Sequence, residues 1–239
     1  MKPRKAASHI EMVASFVMFS LFVFFLLIFL NPIRNQNISD VLIDAVERAI
    51  ESNVSIQLIE LPINLKTGVE NCFSLPNPFN TSERRNILAK DGVGRVLKSS
   101  LSGDNLSIEK SLFGESFYHL YFSDVLFETA PLEMISCTGL NASGYNYAAS
   151  RTNEIFFMQK LTGIKNEYAD DYTQLREEFN FPLGYDFSVT ITDSITKQDI
   201  LSMSTKKPEG VEVNAREVPI EILYEDGNIA KAAMNIQVW

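Results

Sequence analysis

Nineteen consecutive residues, Met12–Leu30 (MVASFVMFSLFVFFLLIFL), carry no charge, no glycine and no proline. At about 1.5 Å per residue they make a helical rod of roughly 28 Å, close to the hydrocarbon thickness of a bilayer. Six of the nineteen are Phe, so the rod is apolar on every side. A helix on a soluble protein would keep a polar face. The expectation is a transmembrane helix ending at Met12 and Leu30, with the lipid bilayer as its first partner. A cleaved signal peptide is the competing reading. Its apolar stretch is shorter and ends in small residues, whereas this run ends Ile28-Phe29-Leu30-Asn31-Pro32.

Charge sets the expected orientation. Lys2, Arg4 and Lys5 crowd the first five positions, and Arg34 alone lies close behind the rod. The positive-inside rule then places the N-terminus in the cytoplasm and the remainder outside, a single-pass cell-membrane protein with an extracellular C-terminal part. Three of the 21 basic residues and one of the 30 acids precede the rod, which leaves 18 and 29 beyond it. Such an acidic surface repels phosphates, so nucleic acid is excluded as a partner.

Cys72 and Cys137 both fall in the predicted outer part. Two cysteines there favour one disulfide; two buried thiols are the alternative. The sequons at Asn37, Asn53, Asn80, Asn105 and Asn141 also lie there, as possible glycosylation sites.

The segments divide into a basic leader (1–11), the rod (12–30), an amphipathic extension (31–53), a β-rich outer region (54–150) and a helix-plus-sheet C-terminal region (151–239). Fold class is therefore α+β: a long N-terminal transmembrane helix, then a β-rich extracytoplasmic domain with one or two further helices. In the extension, Val41, Leu42, Ala45, Val46 and Ile50 form a stripe at helical spacing. Strands are predicted over Val54–Leu65, Cys72–Leu75, Ser107–Lys110, Phe117–Phe122 and Val125–Thr129. A hairpin turns at Asp91-Gly92 within 86–98. Gly139–Ser150 reads as a polar loop and the best internal boundary. One helix is predicted over Gly163–Asn180, because Ile164, Tyr168, Tyr172, Leu175 and Phe179 share a face. Tyr185–Asp193 alternates as a strand, Ile200–Ser204 is a short one, and Val211–Tyr224 with Ile229–Trp239 forms a hairpin.

Motifs of catalysis do not emerge. His119 is the one histidine beyond the rod, no G-x-S-x-G occurs, and a nucleophile would lack its base. No His, Cys, Asp and Glu fall at metal-ligand spacing, and Asp170-Asp171 reads as a solvated helix face. The reading is not an enzyme, with no catalytic, cofactor or metal residues.

The front edge of the rod, KAASHIEMVASFV, resembles archaeal type IV pilin-like proteins with a class III, prepilin-type signal peptide. Their pattern is a short basic leader, a small residue before the cut, a Glu near the fifth mature position and an unbroken apolar helix. The resemblance covers about 25 residues. It implies a prepilin-type peptidase that cuts between Ala6 and Ala7, with Lys5 preceding the small residue. Glu11 becomes the fifth mature residue and pairs with the freed amine of a neighbouring subunit. Partners would be copies of the chain or other pilin-like subunits, and the β-rich domain would face outward. Ala precedes the cut here, where bacterial relatives use Gly. The alternative is a non-polymerising membrane-anchored surface protein whose outer domain binds a partner or a glycan.

Overall fold

The computed structural model describes residues 5–30, 38–66, 71–79, 86–112, 116–127, 137–205 and 207–239, with the side chains of the first helix described over 11–26. Helix α1 is Lys5–Leu30 and α2 is Ile38–Val54. Ten strands pair in one sheet: β1 (Ser55–Leu65), β3 (Asn86–Asp91), β4 (Val96–Leu97), β7 (Phe117–Ser123), β9 (Tyr145–Tyr147), β10 (Arg151–Phe157), β11 (Phe187–Asp193), β12 (Asp199–Met203), β13 (Asn214–Leu223) and β14 (Ile229–Val238). Their order is β12-β11-β14-β13-β10-β1-β7-β3-β4, with β9 on β1. A second sheet holds β2 (Cys72–Pro76), β5 (Ser99–Ser102), β6 (Asn105–Glu109) and β8 (Thr138–Gly139), in the order β5-β6-β2-β8. Helices α3 (Met158–Asp170) and α4 (Tyr172–Glu178) lie between β10 and β11 in the chain.

The β-rich character stands, but the membrane-spanning helix does not. Among the described residues no helix is long and apolar enough to cross a membrane. The transmembrane helix at Met12–Leu30, and with it the single-pass localisation with a cytoplasmic N-terminus and an extracytoplasmic domain, is corrected accordingly.

α2 runs into β1 without a loop, Val54 closing the helix and Ser55 opening the strand. Its buried face is Leu42, Ile43, Val46, Ile50 and Val54, while Val41 is exposed. This stripe shares one core with Phe187, Val189, Ile191, Met234 and Ile236 of the large sheet and with buried residues of α3 and α4. Fully burying such aliphatic side chains stabilises by about 1.5–3 kcal/mol each. β1 alternates strictly beyond this point. Ile59, Leu61, Ile63 and Leu65 enter a second core that the four-stranded sheet covers with Phe73, Leu75, Leu106 and Ile108. Ile56 and Leu58 point to the opposite face, into a small cluster with Ile155, Phe157 and Leu223. β1 is thus central to the whole, pairing with β10, β7 and β9.

The two halves join through β10 and β13, which are parallel and register at only Phe156↔Ile222 and Phe157↔Leu223. The tip of the β13–β14 hairpin adds a second contact across the sheet. Gly227 has φ +81°, and a Cβ there would lie 2.1 Å from Leu88 Cδ2, so the hairpin sits on β3 only because this residue is glycine.

Three local predictions differ from the structure. The helix expected over Gly163–Asn180 is two helices, α3 and α4, broken at Asp171. Asp171 adopts φ −145°, ψ 78°, and its carboxylate accepts from the Gln174 N–H at 3.0 Å, capping α4. A short acid offers the backbone a bond that competes with the helix, and here it wins. The strand expected at Val125–Thr129 is absent over 125–127, where the Ser123 hydroxyl accepts from the Val125 N–H and turns the chain. The loop Gly139–Ser150 contains β9, which registers Tyr145–Tyr147 on Leu65–Ile63.

Candidate functional site

Sequence reading singled out α1 first. Lys5, Ala6 and Ala7 form its first turn, and Glu11 is exposed. Along the rod Met12 is 74% exposed, Phe16 70%, Met18 72% and Phe24 66%. Every residue from 11 to 26 is exposed. Isolated apolar side chains on a surface are ordinary, but a contiguous apolar rod is a surface built to be covered.

Cys72 and Cys137 are joined, with Cα atoms 5.0 Å apart. They stand immediately ahead of the parallel pairing Phe73↔Thr138 and Ser74↔Gly139, so the bond clamps the short β8 onto β2. Among the sequon residues, Asn53, Asn105 and Asn141 are exposed, at the end of α2, the start of β6 and a turn. Asn53 is engaged with the Ala49 carbonyl, and Asn141 Oδ1 accepts from the Ser143 hydroxyl at 2.6 Å. Asn37 and Asn80 lie outside the described residues.

His119 is not solitary. Its Nδ1 lies 2.6 Å from Glu60 Oε1, across the β1–β7 ladder. Tyr121 stacks beside it, with ring centroids 6.4 Å apart, and Phe117 meets it edge-on at 4.9 Å. Burial, together with the neighbouring Glu60 carboxylate, pushes the Tyr121 phenol up to about 12. Lys90 Nζ sits 5.5 Å from the Tyr121 ring centre, and its pKa is lowered by burial, partly offset by Asp226. Glu60 and His119 come from strands distant in sequence, which is why the pairing has no local signature.

A concavity of about 530 Å³ lies beside α2 where β10 and β13 diverge. Its floor is apolar: Phe156, Val218, Ile220 and Met234. Its rim is acidic, with Glu47 and Glu51 from α2, Glu154 from β10 and Glu221 from β13; Lys231 is the one basic residue lining it. Next to it Arg216 of β13 binds three α2 acids: Asp44, Glu47 at 3.3 Å and Asp40 at 3.6 Å. The hydrogen bond to Asp44 is the main reason the Arg216 pKa is raised. Sequence reading missed this hub and the groove. The only signal was the i, i+4, i+7 spacing of Asp40, Asp44 and Glu47, which read as a solvated back face.

Among the described residues no group of three or more His, Cys, Asp or Glu is placed to hold a metal ion. Comparison with protein-family models, with characterised proteins and with solved structures gave no match to this chain.

Proposed function

We propose that the chain is a pilin-like assembly subunit: α1 packs against the same helix of neighbouring subunits, and the β-rich part is what the assembly presents. The observation that carries this reading is the apolar surface of α1, exposed on every side from Met12 to Leu26 with Glu11 at its front edge. A bundle of like helices would cover it. Cutting between Ala6 and Ala7 by a prepilin-type peptidase would free a cationic amine four residues ahead of Glu11. In a bundle, Glu11 of one subunit would pair with that amine on the next, because a carboxylate among apolar helices is costly unless paired. The role is structural rather than enzymatic.

The test is Glu11→Gln, expressed as the full chain and scored for filaments by electron microscopy, with N-terminal mass spectrometry of the wild type. The expected results are loss of filaments in the variant and a mature protein that begins at Ala7. Normal assembly of the variant, or mature protein that begins at Met1, would overturn the reading.

A second reading is a non-assembling protein whose β-rich part binds a partner or a glycan. It is favoured by the row Phe117, His119 and Tyr121 along β7, with Glu60 and Lys90 beside it. Aromatic rings beside polar groups are the makings of a sugar platform.

A further inference from the structure

We propose that the acidic groove beside α2 receives an extended cationic segment of another protein, added as a strand to the free edge of β10. The backbone shows which edge is free. Pro62 accepts from the Ala148 N–H and the Lys66 N–H donates to Gly144, so the even residues of β1 face β9 and β10. Their register partners on β10 are Arg151, Asn153 and Ile155. The alternation of an antiparallel ladder then turns the N–H and C=O of Thr152 and Glu154 away from β1. On the far side, the Lys231 carbonyl accepts from the Ser194 N–H, and Trp239 exchanges both bonds with Asp186. The odd residues of β14 therefore face β11, and their β13 partners Glu217, Pro219 and Glu221 face β10. Pairing between β10 and β13 nevertheless starts only at Phe156. Among the described residues Thr152 and Glu154 offer an unpaired strand edge inside the sheet.

The two sides of the opening are not alike. Pro219 removes a donor from the β13 side, the device that blunts an edge against pairing. The β10 side has no proline. An incoming strand is thus directed to β10, where main-chain bonds would hold it and side-chain pockets would select it. The groove supplies the selection: one set of alternate side chains meets Glu47, Glu51 and Glu154 over the apolar floor on the α2 face, and the other meets Glu221 beside Lys231 on the opposite face. This complementarity also chooses the occupant. A second copy of this chain, at formal net charge −9, would bring its own acidic rim to the first. A foreign segment that alternates Lys or Arg with Val, Ile or Thr meets both demands.

The probe is the fluorescent hexapeptide acetyl-Lys-Val-Lys-Val-Lys-Val-amide, titrated into the full chain in mild detergent and followed by anisotropy. The same peptide with Glu for each Lys is the control. Saturable binding of the lysine peptide alone is expected, at least tenfold weaker in Glu154→Lys and in Thr152→Pro. The Thr152 N–H faces outward, so proline there spares the β1 ladder; Glu154→Lys, an exposed change, carries the test if proline disturbs the fold. Hydrogen exchange of the Thr152 and Glu154 amides should slow when the peptide is bound. Absence of binding, equal binding of the glutamate peptide, or unaltered amide exchange in the complex would each overturn the proposal. So would binding that Glu154→Lys leaves unchanged.

Discussion

Removing the Cys72–Cys137 bond tests how the β-rich part is held together. The bond closes a loop of sequence separation 65 and sits at the head of β2 and β8. In the loop-closure account, a crosslink over that span removes about 14–15 cal/mol/K from the unfolded chain, or about 4 kcal/mol near room temperature. What remains to hold β8 is small. It registers on β2 at Phe73↔Thr138 and Ser74↔Gly139, with one more bond from the Leu140 N–H to the Ser74 carbonyl at 2.8 Å. Backbone bonds of that kind contribute about 1 kcal/mol net each, less than fixing the residues costs. A Cys72→Ala, Cys137→Ala double variant should therefore lose about 4 kcal/mol, or about 8–16 °C in melting temperature for a domain of this size. Hydrogen exchange should show the loss to be local: faster in β2, β6 and β8, unaltered in β11, β13 and β14, whose core lies in the other half. Alanine at the buried Cys72 adds a little for lost packing. The measurement is urea unfolding of oxidised wild type against the double variant. A difference below about 1 kcal/mol, or exchange rising equally in both halves, would refute the reasoning.

Two further changes probe buried charge and the seat of α2. Asp91 is fully buried and accepts from the Arg95 N–H at 2.9 Å, the Arg95 guanidinium at 2.7 Å and the Ser111 hydroxyl at 3.2 Å. Burial alone would push its pKa up, but the bonds from Arg95 and Ser111 outweigh it and hold it below the usual range. A carboxyl depressed in the folded state stabilises above its unfolded value of about 3.9, and that contribution is lost as pH falls through the lower folded value. Asp91→Asn should cost about 2 kcal/mol at neutral pH. Urea unfolding across a pH series should show the gap to wild type closing below about pH 4; a gap constant with pH would refute the assignment. Arg216→Met should cost about 1 kcal/mol, since its partners are half-exposed and such pairs are weak. Thermal unfolding checks it, and the difference should shrink in high salt.

What the sequence disclosed depended on whether a signal was local. The stripe of α2, the alternation of β11 and the β13–β14 hairpin each sit within a short window, and each is present. The break at Asp171 was hidden because Ile164, Tyr168, Leu175 and Phe179 keep a common buried face through both α3 and α4. A cap bond outranked a periodicity that survives it. β8 and β9 are two and three residues long, below the length at which alternation can register. The groove was out of reach for a different reason. Its lining comes from α2, β10, β13 and β14, brought together by pairings that nothing in a local window specifies. The apolar run of α1 was the plainest feature of all, yet apolarity does not choose its solvent: lipid and like helices satisfy it equally.

The acids of α2 join these parts. Asp40 and Asp44 face Arg216, Glu51 faces the groove, and Glu47 does both. A cation that docks near Glu47 therefore competes with Arg216 for one carboxylate. Arg216 would keep Asp44, its strongest partner, so α2 would stay seated while its tie at the Glu47 turn relaxed. Five buried apolar side chains hold the helix through such a change. The effect would still travel, because α2 enters β1 without a loop and β1 pairs with β10, whose free edge forms the other wall of the groove. Occupancy of the groove and the angle at which α2 leaves the sheet are in this way read by the same few residues.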